Sequence, residues 1–185
     1  MSAEHELTSP APAIAAVVHA PGVMDDSVLL ANFADHWLVR GVVVRGLVDV
    51  LASGKDSACG AALRDLETGE QQVIFQDLGP GATGCRIDPA GVARASVALR
   101  RAVETGADLV VANRFGKLEA GGGGLADDML AVMAAGIPFL TLVAEPWLED
   151  WRRFTGEAGQ LLAPRRADLD DWLLRHVRRV AHVCR

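Results

Sequence analysis

Four short, apolar-rich runs, residues 13–18, 42–48, 109–112 and 137–143, constrain this chain more than anything else in it. Each is dense in valine, alanine or leucine and too short for a buried helix. Near-continuous apolar strands are those covered on both faces, which requires a parallel sheet with helices on either side. The intervening segments supply the helices. Residues 26–39 place Val28, Leu29, Phe33 and Trp37 as an apolar stripe, and Gly41 follows as a C-cap. Asp88-Pro89 is a strong helix start, and the helix it opens runs through Val92, Ala95, Leu99 and Val103 and stops before Gly106. A further helix begins near Leu125, with Met129, Val132 and Met133 inward, and ends at Gly136. The last, over residues 167–184, has Leu169, Trp172, Leu173, Val177 and Val180 on one face and Asp168, Asp170 and Asp171 at its start, where the helix dipole favours acids.

Residues 62–66 and 71–76 flank Glu67-Thr68-Gly69-Glu70 as a β-hairpin would. Residues 1–12 read as a loose tail and 13–185 as a single three-layer α/β domain with that hairpin added. At 185 residues, half of them hydrophobic, the chain can build a substantial core. Its net charge of -6 argues against a nucleic-acid surface. No apolar run spans a bilayer, and no secretory leader pattern is present, so a cytoplasmic location is expected. Three cysteines, Cys59, Cys85 and Cys184, do not make a disulfide framework.

Candidate chemistry collects in loops. The first strand-to-helix turn reads HAPGVMDDSV, the place of a phosphate-cradling P-loop, which requires glycines, a lysine and a Ser or Thr for magnesium. Aligned on Ser27, the lysine position is Asp26, beside Asp25. Two carboxylates there repel a triphosphate; they cap the helix or hold a metal. The segment GPGATGCRID offers backbone donors at Gly81, Thr83 and Gly84, the thiol of Cys85, the guanidinium of Arg86 and the carboxylate of Asp88, a set suited to an anion or a soft metal. Cys59 is a second candidate metal ligand and His19 a third, against the ordinary readings of small buried thiols and a hydrogen-bonded strand-end histidine.

The loop ANRFGKLEAGGGG follows the third strand. In an open parallel sheet, ligands bind at the carboxyl ends of strands, so Asn113, Arg114, Lys117 and Glu119 are expected just past such an end, with Asn113 and Lys117 facing a ligand. Four consecutive glycines, 121–124, imply a close backbone approach to a ligand or a moving lid. Trp37 and Trp172 read as core, while Trp147 and Trp151, in a charged covering segment, line a pocket or a subunit interface.

The runs RDLETGE, QDLGPGATGCRIDPAG and GADLVVANRFGKLEA together resemble a bacterial family of uncharacterised proteins related to the P-loop nucleoside-triphosphatases, over about residues 13–160. The resemblance implies a P-loop NTPase-like parallel sheet, with residues 110–119 as the Walker B region. Ala112, Asn113 and Arg114 stand where the magnesium-holding and water-activating acids belong. It also implies, loosely, a link to molybdenum transport. The expected function is binding of a small anionic ligand, a nucleotide or a metal oxyanion such as molybdate, without required catalysis. The alternatives are a magnesium-dependent nucleotide phosphohydrolase or phosphotransferase using Asp25, Asp26 or Glu119, and an adaptor or homo-oligomer joined through Trp147 and Trp151.

Overall fold

The computed structural model describes residues 13–21, 25–51, 61–76 and 86–177. Its frame is a seven-stranded sheet. Strand β1 (Ile14–His19) leads to helix α1 (Asp25–Leu38) and strand β2 (Val44–Leu51). Strands β3 (Ala61–Asp65) and β4 (Gln71–Val73) form the hairpin; β5 (Phe75–Gln76) and β6 (Arg86–Ile87) form a separate two-stranded ladder. Helix α2 (Pro89–Thr105), strand β7 (Leu109–Phe115), helices α3 (Lys117–Ala120) and α4 (Ala126–Ala134) and strand β8 (Phe139–Ala144) follow. A 3-10 turn (Glu145–Trp147), helix α5 (Leu148–Thr155), strand β9 (Gln160–Leu162) and helix α6 (Arg166–His176) complete the described chain.

The strand order is β4-β3-β2-β7-β8-β1-β9. Within it β2, β7, β8, β1 and β9 are mutually parallel, while β3 and β4 extend the β2 edge antiparallel. The carboxyl ends of the parallel strands therefore lie along one edge.

Strand periodicity produces the three layers, because successive side chains leave opposite faces of a sheet. Ala15 and Val17 of β1, Val111 of β7 and Leu140 and Leu142 of β8 pack with Leu30, Phe33 and Trp37 of α1 and with Leu169, Trp172 and Leu173 of α6. Their neighbours Ile14, Ala16, Val110, Ala112, Phe139 and Val143 face the other way. They pack with Ala95 and Leu99 of α2, Met129 and Val132 of α4 and Trp151 of α5. Burying one such Leu or Phe contributes about 1.5–3 kcal/mol, so both helical layers are needed to cover the sheet.

Several boundaries differ from the sequence expectation. The second strand starts at Val44 and reaches Leu51, because its carboxyl end gains the hairpin as an antiparallel neighbour. The hairpin's second arm stops at Val73, and Phe75–Gln76 pairs instead with Arg86–Ile87. Strand β9, three residues at the sheet edge, was not anticipated. Val28 is exposed; Leu30, Phe33, Ala34 and Trp37 make the inner face of α1. Trp37 and Trp172 are core, as expected. Asp88 accepts from the Ala90 N–H at 3.0 Å, capping α2 as its sequence requires. The last helix is described as far as His176; Val180 and Cys184 lie outside the described residues.

Trp151 overturns the expectation of an exposed tryptophan pair. It is fully buried, 5.3 Å centroid to centroid from Phe115 and 6.5 Å from Phe139. The charges of its segment suggested exposure. Helical spacing instead puts Trp151 and Phe154 on the inner side of α5 and leaves Arg152 and Arg153 outside. Trp147 is partly buried against the same cluster. Trp151, fully buried, offers no adaptor surface.

Candidate functional site at the carboxyl edge of the sheet

At the carboxyl edge, three elements distant in sequence converge on Ser27. Its hydroxyl, in the first turn of α1, donates to Asp49 Oδ2 at 2.9 Å. Asp49 is on β2, two residues past Leu47, which pairs with Ala112 of β7. Residue 114 is likewise two past Ala112, and Arg114 Nη2 donates to the same Asp49 Oδ2 at 2.8 Å and to Ser27 Oγ at 3.4 Å. Asn113 completes the cluster, its Nδ2 donating to Ser27 Oγ at 3.3 Å. The Asn113-Arg114 peptide is cis.

The donor count fixes the amide orientation. Ser27 has one proton, and Asp49 takes it. Asn113 must then present its NH2 to Ser27, and its Oδ1 is left buried without a hydrogen-bond partner among the described residues. A buried unpaired acceptor costs about 1–3 kcal/mol, so this atom is a standing invitation to a donor. His19, buried at the end of β1, presents a second. Its Nδ1 donates to Ala20 O at 3.0 Å, and its Nε2 is buried without a partner among the described residues.

Asn113 and Arg114 thus close the strand rather than follow it, since β7 continues to Phe115. Both belong to the cluster. Lys117 opens α3 and is exposed at the same edge. Asp26, the second residue of α1, is half-buried at a helix start that favours its charge. Arg86 is described in its backbone alone, as a residue of β6. Gly81, Thr83, Gly84, Cys85 and Cys59, and with them the expected thiol site and all of residues 77–85, lie outside the described residues. Among the described residues no group of three His, Cys, Asp or Glu could hold a metal ion.

Two residues of the cluster, Ser27 and Asp49, were not read as site residues from the sequence. The signals were present: Ser27 occupies the Ser/Thr position of the P-loop pattern, and Asp49 is an acid near the carboxyl end of a buried strand. Glu119, offered as a metal ligand, is instead structural. Its carboxylate accepts from the Gly116 N–H at 3.1 Å and the Leu125 N–H at 3.2 Å, pinning both ends of the glycine loop. One of the four glycines serves that carboxylate: at Gly124, with φ +61°, an added Cβ would overlap Glu119 Oε1, so there the close backbone approach is to this side chain.

Magnesium sites of P-loop enzymes use the loop Ser/Thr and a strand-end Asp. The residues present do not fit that ion. The β7 residue that meets Ser27 is Asn113, an amide and not an acid, the Ser27 hydroxyl and Asp49 already hold one another, and the Arg114 guanidinium lies against both.

The parallel sheet flanked by helices, with a strand-to-helix turn over its carboxyl edge, is the architecture of the P-loop nucleoside-triphosphatases. Comparison with solved structures agrees: the solution structure of a human cancer-related nucleoside triphosphatase superposes with a TM-score of 0.60, covering 92% of this chain and 98% of that one at 18% identity. Residues 14–172 match the family described as "Protein of unknown function (DUF2478)", and the chain belongs to that family. It is also 40% identical over 161 residues to the molybdenum import ATP-binding protein ModC 2 of Bradyrhizobium diazoefficiens, a match that covers 86% of this chain and 18% of that protein. The chain therefore spans under a fifth of the length of that relative. Among the described residues no helix is long and apolar enough to cross a membrane.

Proposed function

We propose that this protein binds a small anionic ligand, a nucleotide or a metal oxyanion such as molybdate, at the carboxyl edge of its sheet through a degenerate P-loop, and does not hydrolyse it. The observation that carries this reading is the Ser27-Asp49-Asn113-Arg114 cluster. It sits where nucleotide phosphates bind in this architecture, yet its side chains are arranged for holding rather than for turnover. Asp26 in the lysine position and Asn113 with Arg114 in the acid positions remove the groups that stabilise a transferring phosphoryl group. Lys117 and the outer face of Arg114 supply positive charge, and the donors expected at Gly81, Thr83, Gly84, Cys85 and Arg86 complete the binding surface.

Two considerations bear on the ligand. The printed name of the relative joins ATP binding to molybdenum import, which puts both ligand classes on the test panel. The unpaired Asn113 Oδ1 calls for a ligand that donates as well as accepts, which favours a nucleotide, with its hydroxyl and amino groups, over a bare oxyanion. A ligand that binds the folded state raises Tm. A thermal-shift panel of ATP and GTP, each with and without magnesium, molybdate, tungstate and sulfate therefore tests the reading. Stabilisation by nucleotide or by molybdate with no phosphate release supports it. Magnesium-dependent phosphate release lost in Asp26→Asn would replace it with the phosphohydrolase, and no response to any anion would sink it.

A further inference from the structure

We propose that the Arg114 guanidinium takes the place of a divalent cation between Ser27 and Asp49, so that this site holds its anion on a covalently attached positive charge and needs no metal. The clause about the anion rests on the function proposed above; the replacement of the metal does not.

The argument is one of donors and lone pairs. A magnesium ion demands oxygen ligands at about 2.0–2.1 Å in near-octahedral array, each with a lone pair free to point at it. Ser27 Oγ has none to spare: its proton goes to Asp49, and it accepts from Asn113 Nδ2 and Arg114 Nη2. Asp49 Oδ2 likewise receives two donors, the Ser27 hydroxyl at 2.9 Å and Arg114 Nη2 at 2.8 Å. The third member of a metal's ligand set, the acid closing the adjacent strand, is Asn113, and it turns its NH2 towards Ser27. All three positions have the same sense. At each, a hydrogen-bond donor stands where a metal would need a free lone pair, and together they build a pocket for a planar cation.

Arginine suits that pocket because it keeps its charge at any physiological pH and can serve several acceptors at once. Asp49 is the more enclosed partner, its side chain 13% exposed against 42% for Arg114. The guanidinium thus meets the more enclosed carboxylate while part of it remains open to solvent and to a ligand. A second cation entering beside it would meet repulsion as well as occupied lone pairs.

The replacement is tested by Mn2+ binding, followed from the loss of the free-ion electron paramagnetic resonance signal, with no anion added. The parent protein is expected to leave Mn2+ free at millimolar concentration. Arg114→Ala opens Asp49 and Ser27 and is expected to bind Mn2+ at least about tenfold more tightly than the parent. Adding Asp49→Asn to that variant should abolish the gain. Arg114→Gln, which removes the charge but retains donors, serves if Arg114→Ala does not fold, and should show a smaller gain of the same sign. Two results would overturn the proposal: Mn2+ binding by the parent that weakens in Asp49→Asn, or equally weak binding in the parent and both Arg114 variants. The parent and Asp49→Asn titrations stand without either Arg114 variant. Since no anion is present, a silent anion panel would sink the proposed function and leave this result intact, while parent Mn2+ binding would sink the metal replacement alone.

Discussion

The carboxyl edge of the sheet carries two neighbouring stretches that look alike in sequence and do opposite things. Residues 113–114 close β7 with an amide and a guanidinium, and both reach across to other elements, Ser27 on α1 and Asp49 on β2. Residues 116–125 follow at once, with charge and four glycines, and their central polar group turns inward: Glu119 binds the backbone of its own loop. Glycine content marked the second stretch as the ligand loop, yet it is a self-contained structural turn, and the site-like network belongs to the first. The distinction lies in where the polar atoms find their partners. A loop whose central carboxylate is taken up by its own backbone offers a ligand only outward side chains such as Lys117, whereas a cluster drawn from three elements has an acceptor left over.

Four substitutions break or sharpen this contrast, in falling order of expected effect. Glu119→Ala removes a buried carboxylate that accepts two backbone N–H groups, and should lower unfolding free energy by about 3 kcal/mol in urea denaturation. A loss within experimental error would mean that the loop does not depend on that carboxylate. Gly124→Ala should cost about 2 kcal/mol, from its left-handed backbone and the overlap with Glu119. In a Glu119→Ala background the same change should cost less, and a double-mutant cycle measures the coupling. Additive effects would refute the contact.

Ser27→Ala deletes the hub of the other region. It should cost about 1.5 kcal/mol of stability and also lower the anion-induced rise in Tm, because Asn113, Asp49 and Arg114 lose their common partner. A stability loss with an unchanged anion response would mark the cluster as structural, like Glu119. Lys117→Ala should leave stability within about 0.5 kcal/mol, as an exposed side chain does, yet reduce the anion response at low salt. An unaltered response would remove Lys117 from the site.

Much of the architecture was legible because it follows from local pattern. The strand runs, the Asp88-Pro89 helix start, the hairpin around residues 67–70 and the core roles of Trp37 and Trp172 follow from spacing and turn chemistry within a few residues. The failures have physical reasons as well. Strand β9 is three residues long with two exposed side chains, so its periodicity carries no signal; only pairing with β1 makes it a strand. Trp151 was misread because local charge density outweighed the helical spacing that hides it. Asn113, expected just past the end of its strand, lies within β7, while Ser27 enters the sequence reading only as the anchor of the P-loop alignment and Asp49 enters it in no role.

The sequence by itself determined the four central strand runs, most of the helices between them and a parallel sheet covered on both faces. These are properties of short windows, where period and residue type suffice. Only the tertiary structure decided which polar groups meet. Ser27 and Asp49 are 22 residues apart and Asp49 and Arg114 are 65 apart, and what joins them is the placement of β2 beside β7 in register, with the start of α1 above their ends. Hydrogen bonds act over about 3 Å of space, and no separation along a chain specifies that distance until the sheet order is set.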